Sequence, residues 1–325
     1  MTMHDPIPSP DKSSSTPSLI ERAANMYDFR KALNQPGPQL PDAAGTQTHQ
    51  ADTSETVAVR APVAGATPVA APLPRPRSGP AMPVAVIDRD HLRERAFIVP
   101  DGPVTSISEE FRIVKRRLLA SIQAEANAGL GAAAQRILIC SAQPNEGKTY
   151  SAINLALSIA TEQDHDVLLV DADFAKPSIL SSLGIEGQRG LMDALADPKV
   201  AVEDCIIPTD IRGLSVLPAG RQTNTDSEYL ASAHTLDVLA RLTEGHPGRI
   251  VIFDSPPLLA ASPAATLAQH VGHALMVVRA DVTSERALRD ALGLISGCNQ
   301  VQLLLNGVKF SPSGRSFGSY YGYGE

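Results

Sequence analysis

Ser141-Ala142-Gln143-Pro144-Asn145-Glu146-Gly147-Lys148-Thr149 sets a lysine and a hydroxyl immediately behind a glycine turn. That spacing suits a phosphate-binding loop. Turn N–H groups and a helix start face phosphate oxygens, Lys148 adds a point charge, and the Thr149 hydroxyl can hold Mg²⁺. Gln143, Pro144, Asn145, Glu146 and Gly147 form the loop. Tyr150 follows on the helix, where it is expected to pack near the nucleotide rather than to be phosphorylated. The usual first glycine of such a loop is absent, and Ala142 stands in its place. Two further segments end in carboxylates: Val167-Leu168-Leu169-Val170-Asp171-Ala172-Asp173 and Ile250-Val251-Ile252-Phe253-Asp254-Ser255-Pro256-Pro257. A triphosphate with Mg²⁺ needs this set: one cation, one hydroxyl, and anions to hold the metal or its waters.

These groups converge only if their strands share a sheet. Short apolar runs predict strands near 137–141, 167–171, 214–217, 250–254, 274–279 and 301–306. Helical spacing fills most gaps, including 152–160, 236–242, 261–270 and 284–295. Alternating strands and helices of this kind predict an α/β fold, a mostly parallel doubly wound sheet with helices on both faces. In such sheets the strand C-termini line the ligand crevice, which brings Lys148, Asp171, Asp173 and Asp254 to one place. Ahead of the first strand, Ser106-x-x-Glu109 reads as a capping box opening a helix. Phe111, Val114, Leu118 and Ile122 would pack that helix on the sheet, with Glu109, Arg112 and Lys115 on a different side. That charged stripe is either a solvated face or a subunit contact.

The rest of the chain is of another kind. Of the 26 prolines, 16 precede Val104, and residues 35–83 carry few large apolar side chains. Such a segment cannot bury enough surface to offset its ordering entropy, so residues 1–83 are expected to be a largely disordered Pro/Ala-rich region. Within it, Ser18-x-x-Glu21 ahead of Leu19, Ala23, Tyr27 and Leu33 suggests a short amphipathic helix near 18–33, either a docking peptide or a transient helix. Residues 84–310 form the predicted P-loop domain. Residues 311–325 form a flexible tail rich in Gly, Ser and Tyr, carrying Tyr320, Tyr321 and Tyr323, half of the 6 tyrosines. It reads either as a peptide suited to enter an active site or as a sticky disordered segment.

The net charge of −7 argues against a nucleic-acid surface. Cys140, Cys205 and Cys298 are scattered, as expected of reduced thiols in a cytoplasmic protein. The 8 histidines and 3 cysteines show no metal-ligand spacing. No apolar run is long enough to cross a bilayer, and the N-terminus lacks an apolar signal core.

The motifs resemble those of the bacterial tyrosine kinases, P-loop proteins unrelated to eukaryotic kinases. The pattern Ser-x-x-Pro-x-Glu-Gly-Lys-Ser/Thr is matched by Ser141–Thr149, Asp-x-Asp by Asp171 and Asp173, and apolar-Asp-x-Pro-Pro by Phe253–Pro257. The terminal tyrosine cluster, Gly213–Gly220 and Leu303–Val308 resemble the family as well, so the similarity runs from about Val84 to the end. Ser18–Ala23 resembles the start of a branch encoded with exosortase (PEP-CTERM) exopolysaccharide clusters. The resemblance implies autophosphorylation in trans with ATP and Mg²⁺ on the terminal tyrosines, regulating exopolysaccharide polymerisation or export. Lys148 and the loop amides would stabilise the transferring group, and Thr149 and Asp254 would hold Mg²⁺. One of Asp171 and Asp173 would accept the tyrosine proton and the other support the metal, with Asp171 taken as the base. Asn306 would contact adenine by resemblance, or is an ordinary strand-end asparagine. The resemblance also implies a homo-oligomer joined through Glu109, Arg112 and Lys115. A separate membrane-spanning polysaccharide chain-length protein would hold it at the inner membrane. Two departures stand out: Ala175 replaces an arginine common after Asp-x-Asp, and Lys115 replaces the last arginine of Glu-x-x-Arg-x-x-Arg.

Two other classes share this fold. Nucleotide-gated positioning ATPases of the partition and division-site type carry a signature lysine where this chain has Gln143, and they lack a terminal tyrosine cluster. An ATP-binding regulatory scaffold without efficient chemistry is the third reading, to which Ala175 is relevant.

Overall fold

The computed structural model describes residues 83–129 and 131–308. The 18–33 helix, most of the Pro/Ala-rich region, and the tail with Tyr320, Tyr321 and Tyr323 lie outside the described residues. In chain order the elements are α1 (Arg89–Glu94), α2 (Ser106–Asn127), β1 (Arg136–Ser141), α3 (Lys148–Ala160), β2 (Asp166–Asp171), α4 (Ile179–Leu183), α5 (Leu191–Ala196), β3 (Ile207–Pro208) and β4 (Leu214–Leu217). They continue with α6 (Asp226–Leu230), α7 (Ala233–Arg241), β5 (Arg249–Asp254), α8 (Pro263–Leu267), β6 (His273–Arg279), α9 (Glu285–Leu294) and β7 (Gln300–Asn306).

The strands form one sheet of order β3-β4-β2-β5-β1-β6-β7. Every pairing is parallel except β3 with β4. The chain leaves β1 toward β2 on one side and later crosses from β5 past β1 to β6 on the other. This reversal makes the C-terminal end of β1 the topological switch point, where open α/β sheets bind ligands.

The continuous apolar runs follow from burial on both faces. Ile137 and Ile139 of β1 face one core with Val167, Leu169, Ile250 and Ile252, while Leu138 and Cys140 face the other with Leu168, Val170 and Phe253. α3 is buried from Ser151 to Ala160 because it lies between the sheet and α2, whose Phe111, Leu118 and Ile122 join the same core. Asn154, fully buried there, is satisfied twice: Oδ1 accepts from the Ile98 amide at 2.8 Å and Nδ2 donates to the Tyr150 carbonyl at 2.9 Å. Cys140, Cys205 and Cys298 are buried free thiols. Among the described residues no helix is long and apolar enough to cross a membrane.

The structure corrects two details at α2. The cap is Thr105, one residue before the predicted box, and Ser108 is its reciprocal partner. The Thr105 amide donates to Ser108 Oγ at 2.8 Å, and the Ser108 amide donates to Thr105 Oγ1 at 3.3 Å. Glu109, released from capping, pairs with Arg112 one turn on. The second correction concerns Lys115, which is 3% exposed rather than on a charged outer face. Its amine donates to the Ser158 carbonyl at 2.9 Å and Thr161 Oγ1 at 3.2 Å, and pairs with Glu162 at 2.5 Å. A cation at the end of α3 meets carbonyls without helical partners and the negative end of the helix dipole, which explains why the lysine turns inward.

Candidate active site

β1 ends at Ser141, and the following loop returns at Gly147 to start α3. Gly147 has φ of 97°, and a Cβ there would lie 2.1 Å from Asn306 Nδ2. Both the left-handed backbone and the close approach require glycine. Asn145 also takes a positive φ, 62°, which asparagine tolerates better than most residues. Ala142, at the usual glycine position, is fully buried. The helix beginning at Lys148, earlier than the predicted 152, points its first amides into the loop.

Side chains outside the motif brace this loop. Glu146 is 1% exposed; its carboxylate accepts from the Gln143 amide at 2.8 Å and from the Thr283 hydroxyl. Arg279, ending β6, donates to the Asn145 carbonyl at 2.7 Å. Asn306, ending β7, donates through Nδ2 to the Glu146 carbonyl at 2.9 Å. Neighbouring strand ends thus fix the loop's shape. Asn306 is committed in part to the loop backbone, which neither sequence reading foresaw.

The carboxylates stand on adjacent strands. Asp171 and Asp254 are register partners across β2 and β5. Thr149 Oγ1 donates to Asp254 Oδ2 at 2.6 Å, joining the loop helix to the third motif. Asp254 Oδ1 is buried without a hydrogen-bond partner. Burial pushes the Asp254 carboxyl up to about 7, against the Thr149 hydrogen bond and the Lys148 charge. Asp171 is 1% exposed. Its Oδ2 accepts from the Ser178 and Ile179 amides at 2.8 and 3.0 Å, and its Oδ1 from the Asp173 amide at 3.2 Å. Burial raises it to about 6 despite those bonds. Asp173, half-buried, is raised by burial, opposed by the Lys176 amide and the Lys148 charge. Three carboxyls held above their ordinary range around one lysine constitute a site prepared for added positive charge.

No family model matches the chain. It is 28% identical over 239 residues to the tyrosine-protein kinase YwqD of Bacillus subtilis (strain 168), covering 73% of this chain and 94% of YwqD. It is 29% identical over 189 residues to the tyrosine-protein kinase wzc of Salmonella typhimurium, covering 58% of this chain but 26% of wzc. The solved BceF tyrosine kinase domain matches at a TM-score of 0.53 and 26% identity, over 62% of this chain and 77% of that one. These relatives and the solved domain are bacterial tyrosine kinases, the proteins to which this chain is similar. It spans nearly all of YwqD and about a quarter of wzc.

Among the residues named from the family motifs, the structure brings the loop, Lys148, Thr149, Asp171, Asp173, Asp254 and Asn306 together. Tyr150 lies beside them but turns its ring onto Phe97, with centroids 5.5 Å apart, and donates its hydroxyl to the Ala96 carbonyl at 2.8 Å. Ala175 is exposed, so no cation projects from the place of the family's arginine; Lys176 beside it is exposed as well. Motif reading missed Thr283 and Arg279. The one available signal was position, since both lie at or just past the C-terminal end of β6, on the ligand side of the sheet.

Proposed function

We propose that the chain is an ATP-dependent protein-tyrosine autokinase that phosphorylates Tyr320, Tyr321 and Tyr323 in trans. The observation that carries the reading is the Thr149–Asp254 hydrogen bond of 2.6 Å. It ties a lysine-bearing phosphate loop to a buried carboxylate, and Asp171 and Asp173 stand beside that carboxylate.

Lys148 and the loop amides hold the β- and γ-phosphates of ATP and stabilise charge on the transferring phosphoryl group. Thr149 and Asp254, with Asp173 nearby, are suited to Mg²⁺: the donors are hard oxygens, and the unpartnered Asp254 Oδ1 is an acceptor that a cation or its water would satisfy. Held by Thr149 and Asp254, Mg²⁺ would supply positive charge against the phosphates. In the transfer, the tyrosine oxygen bonds to the γ-phosphorus, the bond from phosphorus to the ADP oxygen breaks, and the phenolic proton passes to Asp171. A carboxylate is a weak base for a phenol of ordinary pKa about 10. In a loose transition state that proton leaves late, so positioning carries most of the effect.

Assembly through Glu109 and Arg112 would present one tail to the next subunit. Lys115, buried against the end of α3, would support α2 from behind in that arrangement. A separate membrane-spanning chain-length protein would activate the kinase at the inner membrane, in the service of exopolysaccharide export.

Incubating the purified full chain with MgATP tests the reading. Phosphotyrosine should appear, fall at least a hundredfold in Lys148→Met, consistent with roughly 10²–10³ for a lost charge-stabilising group, and mostly vanish when the three tail tyrosines become Phe. ATP hydrolysis without phosphotyrosine would favour the positioning-ATPase reading. Nucleotide binding without either would favour the scaffold.

A further inference from the structure

β7 stands at one edge of the sheet, and one of its faces is bare. Val301, Leu303 and Leu305 are 36, 58 and 59% exposed. We propose that the chain's own tail, residues 309–325, folds back on this edge as an antiparallel strand. It holds Tyr321 and Tyr323 against the apolar face, out of a neighbouring subunit's reach. The docking stands on the fold alone; its effect on labelling rests on the kinase reading.

The strand's register explains the bare face. Val301, Leu303 and Leu305 lie beside Ala274, Met276 and Val278 of β6. Those β6 residues sit in or against a core to which α9 contributes Ala287 and Ala291. The core face therefore continues onto β7, beyond the cover that α9 provides. Leu304, pointing the other way, packs against the core on the α3 side. An apolar edge strand invites pairing unless charge blunts it, and no charged residue lies between Gln300 and Val308.

The backbone is open at the same residues. The Gln300 amide donates to the Gly272 carbonyl, and the Ala280 amide donates to the Asn306 carbonyl. Even-numbered residues of β7 thus turn their backbone polar groups to β6. Alternation along the strand turns those of Val301, Leu303 and Leu305 outward, where no further strand pairs among the described residues.

The place where the tail starts selects it as the occupant. β7 ends at Asn306, Gly307 turns with φ of 69°, and the tail follows from Lys309. Attachment at this edge gives the tail an effective concentration on the order of millimolar, which a second copy in dilute solution does not match. Its 17 residues reach roughly 55 Å when extended, against roughly 23 Å for the strand. A turn through Ser311-Pro312-Ser313-Gly314 leaves enough chain to line β7. The pattern fits as well. Phe317, Ser319, Tyr321 and Tyr323 alternate with Ser316, Gly318, Tyr320 and Gly322. Extended, the tail has three aromatic rings on one face and one on the other. Laying the three-ring face on Val301, Leu303 and Leu305 sets the register. Tyr320 then faces outward and is the first available for labelling. Once Tyr321 or Tyr323 carries phosphate, its charge prevents return to an apolar surface.

Hydrogen exchange read residue by residue in the full chain, without nucleotide, tests the docking. The Val301, Leu303 and Leu305 amides should exchange at least tenfold faster when Phe317, Tyr321 and Tyr323 are changed together to Ser. The Gln302 and Leu304 amides should stay within twofold of wild type, and so should all five in Tyr320→Ser. Outward amides already unprotected in the wild type overturn the docking. Protection that rises with protein concentration overturns it too, because a second copy then covers the edge. Leu303→Lys, at an exposed site, should release the tail and raise labelling of Tyr321 and Tyr323 by an active partner subunit at least threefold. Released amides with unchanged labelling overturn the withholding of the tyrosines. A wild type with protected amides and no labelling overturns the kinase reading and leaves the docking in place.

Discussion

Asp171 and Asp173 differ in what already holds them. Asp171 is buried and accepts three backbone N–H bonds, whereas Asp173 is half-buried and accepts from the Lys176 amide. Asp171→Asn keeps size and some hydrogen bonding but removes the proton acceptor. It is expected to abolish transfer while nucleotide affinity changes little, with Asp173→Asn affecting Mg²⁺ dependence more than transfer. An active Asp171→Asn beside a dead Asp173→Asn would exchange the two assignments. Thr283 touches no phosphate in this reading. It orients Glu146, which shapes the loop, so Thr283→Val should weaken nucleotide binding several-fold through a raised KM for ATP, and Thr283→Ser should restore it. A Val variant with wild-type KM would show that the brace is incidental.

At the scale of elements, α2 serves two purposes that its sequence does not separate. Phe111, Leu118 and Ile122 seat it on α3, and Lys115 locks the C-terminal end of α3. Glu109 and Arg112 remain at the surface, paired with each other. Lys115→Met removes the buried amine that bonds the Ser158 carbonyl, Thr161 Oγ1 and Glu162, leaving the carbonyl with the Thr161 hydroxyl, and should cost about 1–3 kcal/mol of stability, the usual range for losing a hydrogen bond to a charged group. Arg112→Glu should leave the melting temperature nearly unchanged yet abolish higher-order species in light scattering. If Lys115→Met alone dissolves the assembly without lowering stability, the lysine is an interface residue after all. The motif spacing Glu-x-x-Arg-x-x-Lys was visible in the sequence. The inward turn of its last member was not, because it depends on where α3 ends relative to α2.

Across the whole molecule, the buried carboxyls couple stability to pH. Asp254 and Asp171 sit near 7 and 6 in the fold, raised by burial, against about 3.9 for an unfolded aspartate. A folded pKa above the unfolded one means the neutral carboxyl favours the fold. That contribution is complete below about pH 4 and is lost as pH rises through 6 to 7. Without nucleotide, Asp254→Asn should therefore melt above wild type at pH 8, with the gap closing toward pH 4; identical curves at both pH values would exclude the linkage. Added MgATP should raise the wild-type melt more than the variant's, since a bound cation restores favourable ionisation. Assembly is tested by mixing. A Lys148→Met subunit with an intact tail should become labelled by an active subunit lacking tail tyrosines. No label, under conditions where the two associate, would contradict transfer in trans.

The sequence by itself determined the sheet and the motif chemistry. Apolar runs buried on both faces specify parallel strands, and six of the seven were legible within a residue or so. β3, two residues long and antiparallel, was not, since its pairing depends on β4 lying beside it rather than on any pattern of its own. Gly147, Lys148 and Thr149 were readable because the phosphate loop's requirements are local. Tertiary structure alone decided what surrounds them. Glu146, Thr283, Arg279 and Asn306 come together from three segments far apart in sequence, and the carboxyls are raised because of burial. Gly190 lets the segment before α5 approach the one after β4 to within hydrogen-bonding distance. Contacts of that kind depend on the path of the folded chain, and no spacing within a single segment encodes them.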